Sequence, residues 1–423
     1  MANKIWRGDA IAVAQVDTLT VGGTIEVGDK FIVTINGRAV SVSATTTSAT
    51  TTATEIYNAL TTSPVTSYPE FAEITWTNPS AGVVRATAVT AGKPFTLTAT
   101  TTESDDSAAD AQTFTRAATT ANAGPKVWGT ASNWVGGVAP VSTDDVYIEN
   151  FSGDILYDLD QNTIDLTSLN IAASFTGKLG LPEINSDNST SYSEYRPKSL
   201  KIGATTVNVG YGPGNGSSRI RLDGDSTNST VNVENTGSPE SGFNEALFWK
   251  GSGTNTVNIS KGALAIAGFA GETAAVATLR VGFKTNVTGD ARVRGGSGLT
   301  LTTLNQSGGV VELNAAATTI NKIDGELTTN TASTITTLTN DSGPYIHNGA
   351  GTITTLTLGG GAKLDCSRNE RAFTITNTVQ LYEGAEIFDP NGRCTMSGGY
   401  KANRCSALDI RVTVGTNKTY TVS

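Results

Sequence analysis

A four-residue phrase returns along the chain and limits what it can fold into. Ser168-Leu169-Asn170-Ile171 is followed by Thr206-Val207-Asn208-Val209, Thr230-Val231-Asn232-Val233 and Thr256-Val257-Asn258-Ile259, and Thr303-Leu304-Asn305 repeats part of it. Polar and apolar residues alternate, so Thr and Asn share one face and the two aliphatics the other. That is the period of a strand, not of a helix. A short strand recurring in this way predicts stacked coils, each burying its aliphatics against the next.

The second residue of each phrase gives the spacing. Val207, Val231, Val257, Leu279 and Leu304 follow one another at 24, 26, 22 and 25 residues. Ile320, Leu338, Leu356 and Ile375 then follow at 16, 18, 18 and 19. A second strand is predicted in each tight coil, at Val310–Asn314, Tyr345–Asn348, Ala362–Asp365 and Ala385–Asp389. Gly, Asn or Asp flanks each one, and these residues turn a chain readily. Coils of variable length with parallel strands predict an all-β chain whose main body, 164–423, is a parallel β-helix with a C-terminal cap. A βαβ fold would need amphipathic crossover helices, which the sequence lacks, and propeller blades of about 40–50 residues exceed the tight spacing. The Asn column reads as an outward polar position or as a hydrogen-bonded ladder. The plain outward position is the expectation, because Leu279-Arg280 and Ile320-Asn321-Lys322 break the series.

Ahead of the β-helix four segments are expected. Residues 1–15 form an arm, 16–102 a small α+β or β-sandwich-like module, 103–126 a linker and 127–163 a cap. In the module, Lys30–Ile35 alternates, turns at Asn36-Gly37 and returns through Ala39–Val42, a hairpin signal. A short helix is expected over Thr54–Leu60, and strands over Phe71–Trp76, Val83–Ala88 and Phe95–Thr100. The linker carries Glu103, Asp105, Asp106 and Asp110 among small residues. The aromatics of Trp128–Trp134 are placed to cover the open first coil, which would otherwise expose apolar surface and strand edges.

The formal net charge is −9, which disfavours nucleic acid. No apolar run approaches the ~20 residues that span a bilayer, and no secretion signal is evident. Three cysteines, Cys366, Cys394 and Cys405, are too few and too irregular for a disulfide framework. With His347 the single histidine, neither a zinc site nor a Ser-His-Asp arrangement is expected. No metal or cofactor is expected.

Trp6-Arg7-Gly8-Asp9-Ala10, Val27-Gly28-Asp29-Lys30-Phe31 with Ile35-Asn36-Gly37, Pro69–Ile74 and Ala91-Gly92-Lys93-Pro94-Phe95 resemble a module in structural proteins of tailed bacteriophages and related prophages. The stretch from Trp128 to Ile148 resembles the start of repetitive β-helical surface proteins. The resemblance implies a non-enzymatic virion protein, a head decoration or fibre, on the virion surface after assembly in the host bacterial cytoplasm. It implies a homotrimer, and the major capsid protein or other virion proteins as partners. The arm's Ile5, Trp6, Arg7, Ile11 and Val13 are then the expected attachment residues, since so short a segment cannot bury its own apolar groups.

Phage β-helices also include glycan depolymerases, so the alternative is a tailspike or tail fibre acting on host surface glycan. Its candidate residues are Asp223, Asp225, Glu240, Glu245 and Trp249, because glycoside hydrolysis needs two carboxyls about 5–9 Å apart. Asp154, Asp158, Asp160 and Asp165 form a further acidic group, read like the others as turn residues. Arg7-Gly8-Asp9 is too short a match to imply adhesion, and Gly210–Gly216 lacks the Lys-Ser/Thr of a phosphate loop. Triplets such as Asn188-Ser189-Thr190 and Asn228-Ser229-Thr230 are expected by chance in such a chain.

Overall fold

The computed structural model describes residues 2–35, 37–185, 191–282, 291–406 and 409–415. Asn36 and the Asn188–Thr190 triplet lie outside them. The described chain is nearly all β, dominated by one large sheet system in which every strand pair is parallel. Two ladders organise it.

The first ladder carries the recurring phrase. Val146 pairs with Leu169, and the partners continue through Val207, Val231, Val257, Leu279, Leu304, Ile320, Leu338 and Leu356. All of these are buried. Burying each such side chain contributes roughly 1.5–3 kcal/mol, so the shared register is worth far more than any single hydrogen bond. The second ladder carries another aliphatic column. It runs Ile220, Leu247, Leu264, Val293, Val311, Leu327, Tyr345, Leu364, Ile387 and Val412. Both columns face one continuous core.

The Asn column is a ladder, contrary to expectation. Asn208 Nδ2 donates to Asn170 Oδ1 at 2.8 Å, Asn232 to Asn208 at 3.0 Å and Asn258 to Asn232 at 2.9 Å. Arg280, which looked like a break, donates from Nη1 to Asn258 Oδ1 at 3.1 Å and terminates the array. Residues in parallel register lie about 4.8 Å apart, a span one amide bridges. Asn321 to Asn305 at 3.0 Å resumes the pattern.

The N-terminal module has its own core under two antiparallel sheets. One contains Ile74–Ser80, Val83–Ala88, Val16–Gly23 and Gln112–Thr120; the other contains Arg38–Ser43, Lys30–Ile35 and Leu97–Thr102. Helix Ala49–Leu60 packs Ala53, Ile56 and Leu60 inward, and Ser48 caps it by accepting from Thr51 N–H. The expected linker is part of this module: Gln112–Thr120 pairs along its whole length with Val16–Gly23 and buries Phe114. The acidic cluster before it is a turn, where Lys30 Nζ meets Asp106 at 2.6 Å. Pro69–Ala72 is a helical turn instead of the start of a strand, with proline at its favoured first position. The boundary expected at 163/164 falls inside the strand Asp160–Ala172.

The arm is also corrected. Asn3–Ile5 adds to the large sheet beside Asp145–Ile148, in parallel. Trp6 is buried, with ring centroids 4.9 Å from Trp134 and 6.1 Å from both Trp128 and Phe151. An added strand satisfies an open edge and gives the indole a pocket, so Trp6 is not free for a partner, while Ile5 pairs through its backbone and keeps its side chain 39% exposed. Arg7 N–H donates to the Asn133 carbonyl at 2.7 Å. Ile11 is 84% exposed and Val13 38%.

One inward column ends in polar residues. His347 is fully buried, with Nδ1 2.8 Å from the Tyr345 hydroxyl and 3.0 Å from Thr329 Oγ1. Burial holds its imidazole down to about 4, against a smaller upward pull from the Gly351 and Gly349 backbone.

Two outcomes are expected. Asn232→Asp removes a donor and sets a carboxylate against the Asn208 oxygen, so it should lower unfolding free energy by about 1–3 kcal/mol in denaturant titration. Parental stability would count against the ladder. As pH falls from 6.5 to about 4, the unfolded histidine takes up a proton that the folded one refuses. Stability should be full above 6.5, decline by about 3 kcal/mol across that window and level off below it. His347→Phe should lose this component when unfolding is compared at pH 7 and 4.5.

Candidate functional site: a charged groove on the second ladder

The groove begins with three neighbouring strands. Leu222, Trp249 and Ile266 pair in register and point into the core. Alternation therefore turns Asp223 and its partner Lys250 the other way. Around them lies a groove of about 570 Å³, within the size range of small-ligand sites. Its walls come from residues between Asp160 and Thr273, which the stacking of strands brings together.

Charge alternates across it. Asp223 lies 3.5 Å from Lys250, which lies 3.6 Å from Glu272. Asp225 is 3.4 Å from Lys201. Glu183 pairs with Lys198 at 2.5 Å and with buried Arg221 at 2.6 Å. Burial raises the Glu183 carboxyl, but the hydrogen bonds from Lys198 and Arg221 outweigh it and hold the group below its ordinary value. Burial in turn pulls the Arg221 guanidinium down, with Glu183 opposing. Arg221 also sits 4.5 Å from the Phe269 ring centroid and 5.3 Å from that of Phe248. Phe269 is stacked on Phe248 and half-buried at the groove wall.

Of the five residues expected for a glycan site, only Asp223 and Asp225 line this groove. Glu240 binds Arg219 at 2.9 Å and Lys178 at 2.6 Å. Burial raises its carboxyl, yet those two cations prevail and keep it low. Glu245 is buried and paired with Arg294 at 2.8 Å. Trp249 is 2% exposed, a core residue and not a sugar platform. Phe269, Arg221 and Glu272 were not anticipated. Phe269 and Glu272 share one turn, where Phe269 N–H donates to the Glu272 carboxylate at 3.1 Å, while Arg221 stands on an earlier strand; none carries a motif, so only the register exposes their proximity.

Asp158 lies outside the groove; burial pushes its carboxyl up, while a hydrogen bond from Gly129 N–H opposes. Among the described residues no cluster of three or more His, Cys, Asp or Glu could hold a metal ion. No helix there is long and apolar enough to cross a membrane. No protein-family model, no curated protein and no solved structure matches the chain.

Glu183, Asp223, Asp225 and Glu272 each face a cation, and Asp160 is a fifth acid on the wall, so among the described residues the groove offers hydrogen bonds and charge chiefly through ion-paired carboxylates. The Glu245–Arg294 pair tests the same principle nearby. Arg294→Ala should strand a buried carboxylate and cost about 1–3 kcal/mol in denaturant titration, and adding Glu245→Ala should recover part of that loss. Additive effects of the two changes would mean the pair is not coupled.

Proposed function

We propose that the chain is a non-enzymatic structural protein of a bacteriophage virion, a head decoration or fibre, whose body is a parallel β-helix. The observation that carries the structural part is the unbroken aliphatic register, in which successive partners on the first ladder are only 16–26 residues apart from Val207 to Leu356. So short an interval leaves room for one coil and little else. About ten coils at roughly 4.8 Å each make a rod near 50 Å long. A rod fixed at one end by Trp6, Trp128 and Trp134 suits a projecting role better than turnover of a substrate.

The virion assignment rests on the resemblance of the N-terminal motifs. Attachment to the major capsid protein or another virion protein falls to the N-terminal region, where Ile5, Ile11 and Val13 remain exposed while Trp6 is committed to the fold. A homotrimer on the virion surface is the assembly this reading expects. The groove at Asp223 and Asp225 favours a second reading, a fibre that holds host surface glycan without cleaving it. The paired carboxylates argue against a depolymerase.

An Ile11→Asp, Val13→Asp variant should fold like the parent yet enter virions poorly, measured by quantifying the chain in purified particles. Parental incorporation would move attachment elsewhere on the module. Release of reducing ends from host polysaccharide, abolished by Asp223→Ala, would overturn the non-enzymatic reading.

A further inference from the structure

One inward column of the first ladder changes character partway along. Val209, Val233, Ile259 and Val281 succeed one another, then Gln306, Lys322 and Asn340, then Leu358. All three polar residues are buried, with Lys322 at 1% and Asn340 at 0% exposure. A lysine in an aliphatic column is costly unless its amine is engaged. Its Nζ donates to Asn340 Oδ1 at 3.0 Å and to the Ser342 carbonyl. Asn340 is its direct register partner in the next coil, and Asn340 Nδ2 is held in turn by the Gly343 carbonyl at 3.0 Å.

We propose that Lys322 and Asn340 are the site of an autocatalytic isopeptide bond that welds two successive coils. The amine already touches the oxygen of the carbonyl it would attack, and both side chains are buried, which limits competition from water, while the nearby carboxylate of Asp324 is exposed. Asp324 is the proton acceptor. A methyl built on Gly343 would lie 3.1 Å from Lys322 Nζ and 3.3 Å from Asp324 Oδ1, so the two groups border the same spot. Burial holds the amine down to about 8, against the smaller opposing pull of Asp324, Asp341 and Glu326, which leaves a neutral fraction at ordinary pH.

The step balances without a co-reactant. The ammonium gives a proton to Asp324, and the freed lone pair of Nζ attacks Cγ of Asn340. The Cγ–Nδ2 bond then breaks, and Nδ2 leaves as ammonia, taking the proton from the attacking nitrogen. Asp324 returns its proton to the ammonia, so a lysine ammonium and a primary amide become a secondary amide and an ammonium ion. The new amide retains one N–H. Gln306 Oε1, on the preceding coil in the same column, is buried with no hydrogen-bond partner and is the acceptor available for it.

The test is the intact mass of the folded full-length chain, incubated at pH 8 and then denatured. The expected mass is that of the sequence less one ammonia, and protease digestion should yield one branched peptide joining Lys322 to Asn340. Lys322→Met and Asn340→Leu, both apolar and suited to the column, should keep the full mass. Asp324→Asn should slow bond formation on the order of a hundredfold. A parent chain that keeps its full mass after prolonged incubation overturns the proposal, as does an ammonia loss that maps to any other residue. Bond formation at the parental rate in Asp324→Asn overturns the role given to that carboxylate.

Discussion

Parallel pairing of each strand with its counterpart one repeat later is the constraint on which everything else depends. Because side chains alternate with a period of two, a slip of one residue would exchange every buried aliphatic for a Thr or Asn. The columns from Val146 to Leu356 and from Ile220 to Val412 make that slip costly at each step. The spacing between paired strands is free to vary because excursions leave the register untouched. The residues between Val233 and Leu247 are an excursion of this kind, and they supply Glu240 and Glu245 without disturbing the strands on either side.

The ladders were legible in the sequence because their signal is local and repeated. Thr-Val-Asn-Val states the strand, the face and the column in four letters. What escaped depends on partners distant in sequence. Gln112–Thr120 alternates weakly and follows four acids, so only its pairing with Val16–Gly23 reveals it as a strand. The arm looked unable to bury Trp6 because its pocket is built by Trp128 and Trp134, more than a hundred residues away. Arg280 looked like a defect because a guanidinium does not resemble an amide, although it presents the donor that the series requires there. The groove was half legible: Asp223 and Asp225 stood out as a pair, while the lysines that neutralise them and the ring of Phe269 did not.

Polar groups are handled differently at the two sides of the sheet. Outside, Asn amides satisfy one another along the stack. Inside, they must be satisfied within a dry core. The Thr329, Tyr345 and His347 cluster does so in part: the two hydroxyls and His347 Nδ1 engage one another across paired strands, while His347 Nε2 is buried without a partner. Interior polar groups of this sort specify which strand pairs with which, since no aliphatic neighbour could complete them.

The asparagine ladder also has a direction. Every amide from Asn208 to Asn258 donates toward the preceding paired strand and accepts from the following one. Their dipoles therefore add instead of cancelling, and the carbonyl end of the column is its negative pole. Arg280 places a cation at that pole, as a basic side chain does at the carboxyl end of an α-helix. Reversing one amide would set oxygen against oxygen on one side and donor against donor on the other. The array thus switches as a unit or not at all, which gives this flank of the sheet a built-in electrical polarity along its length.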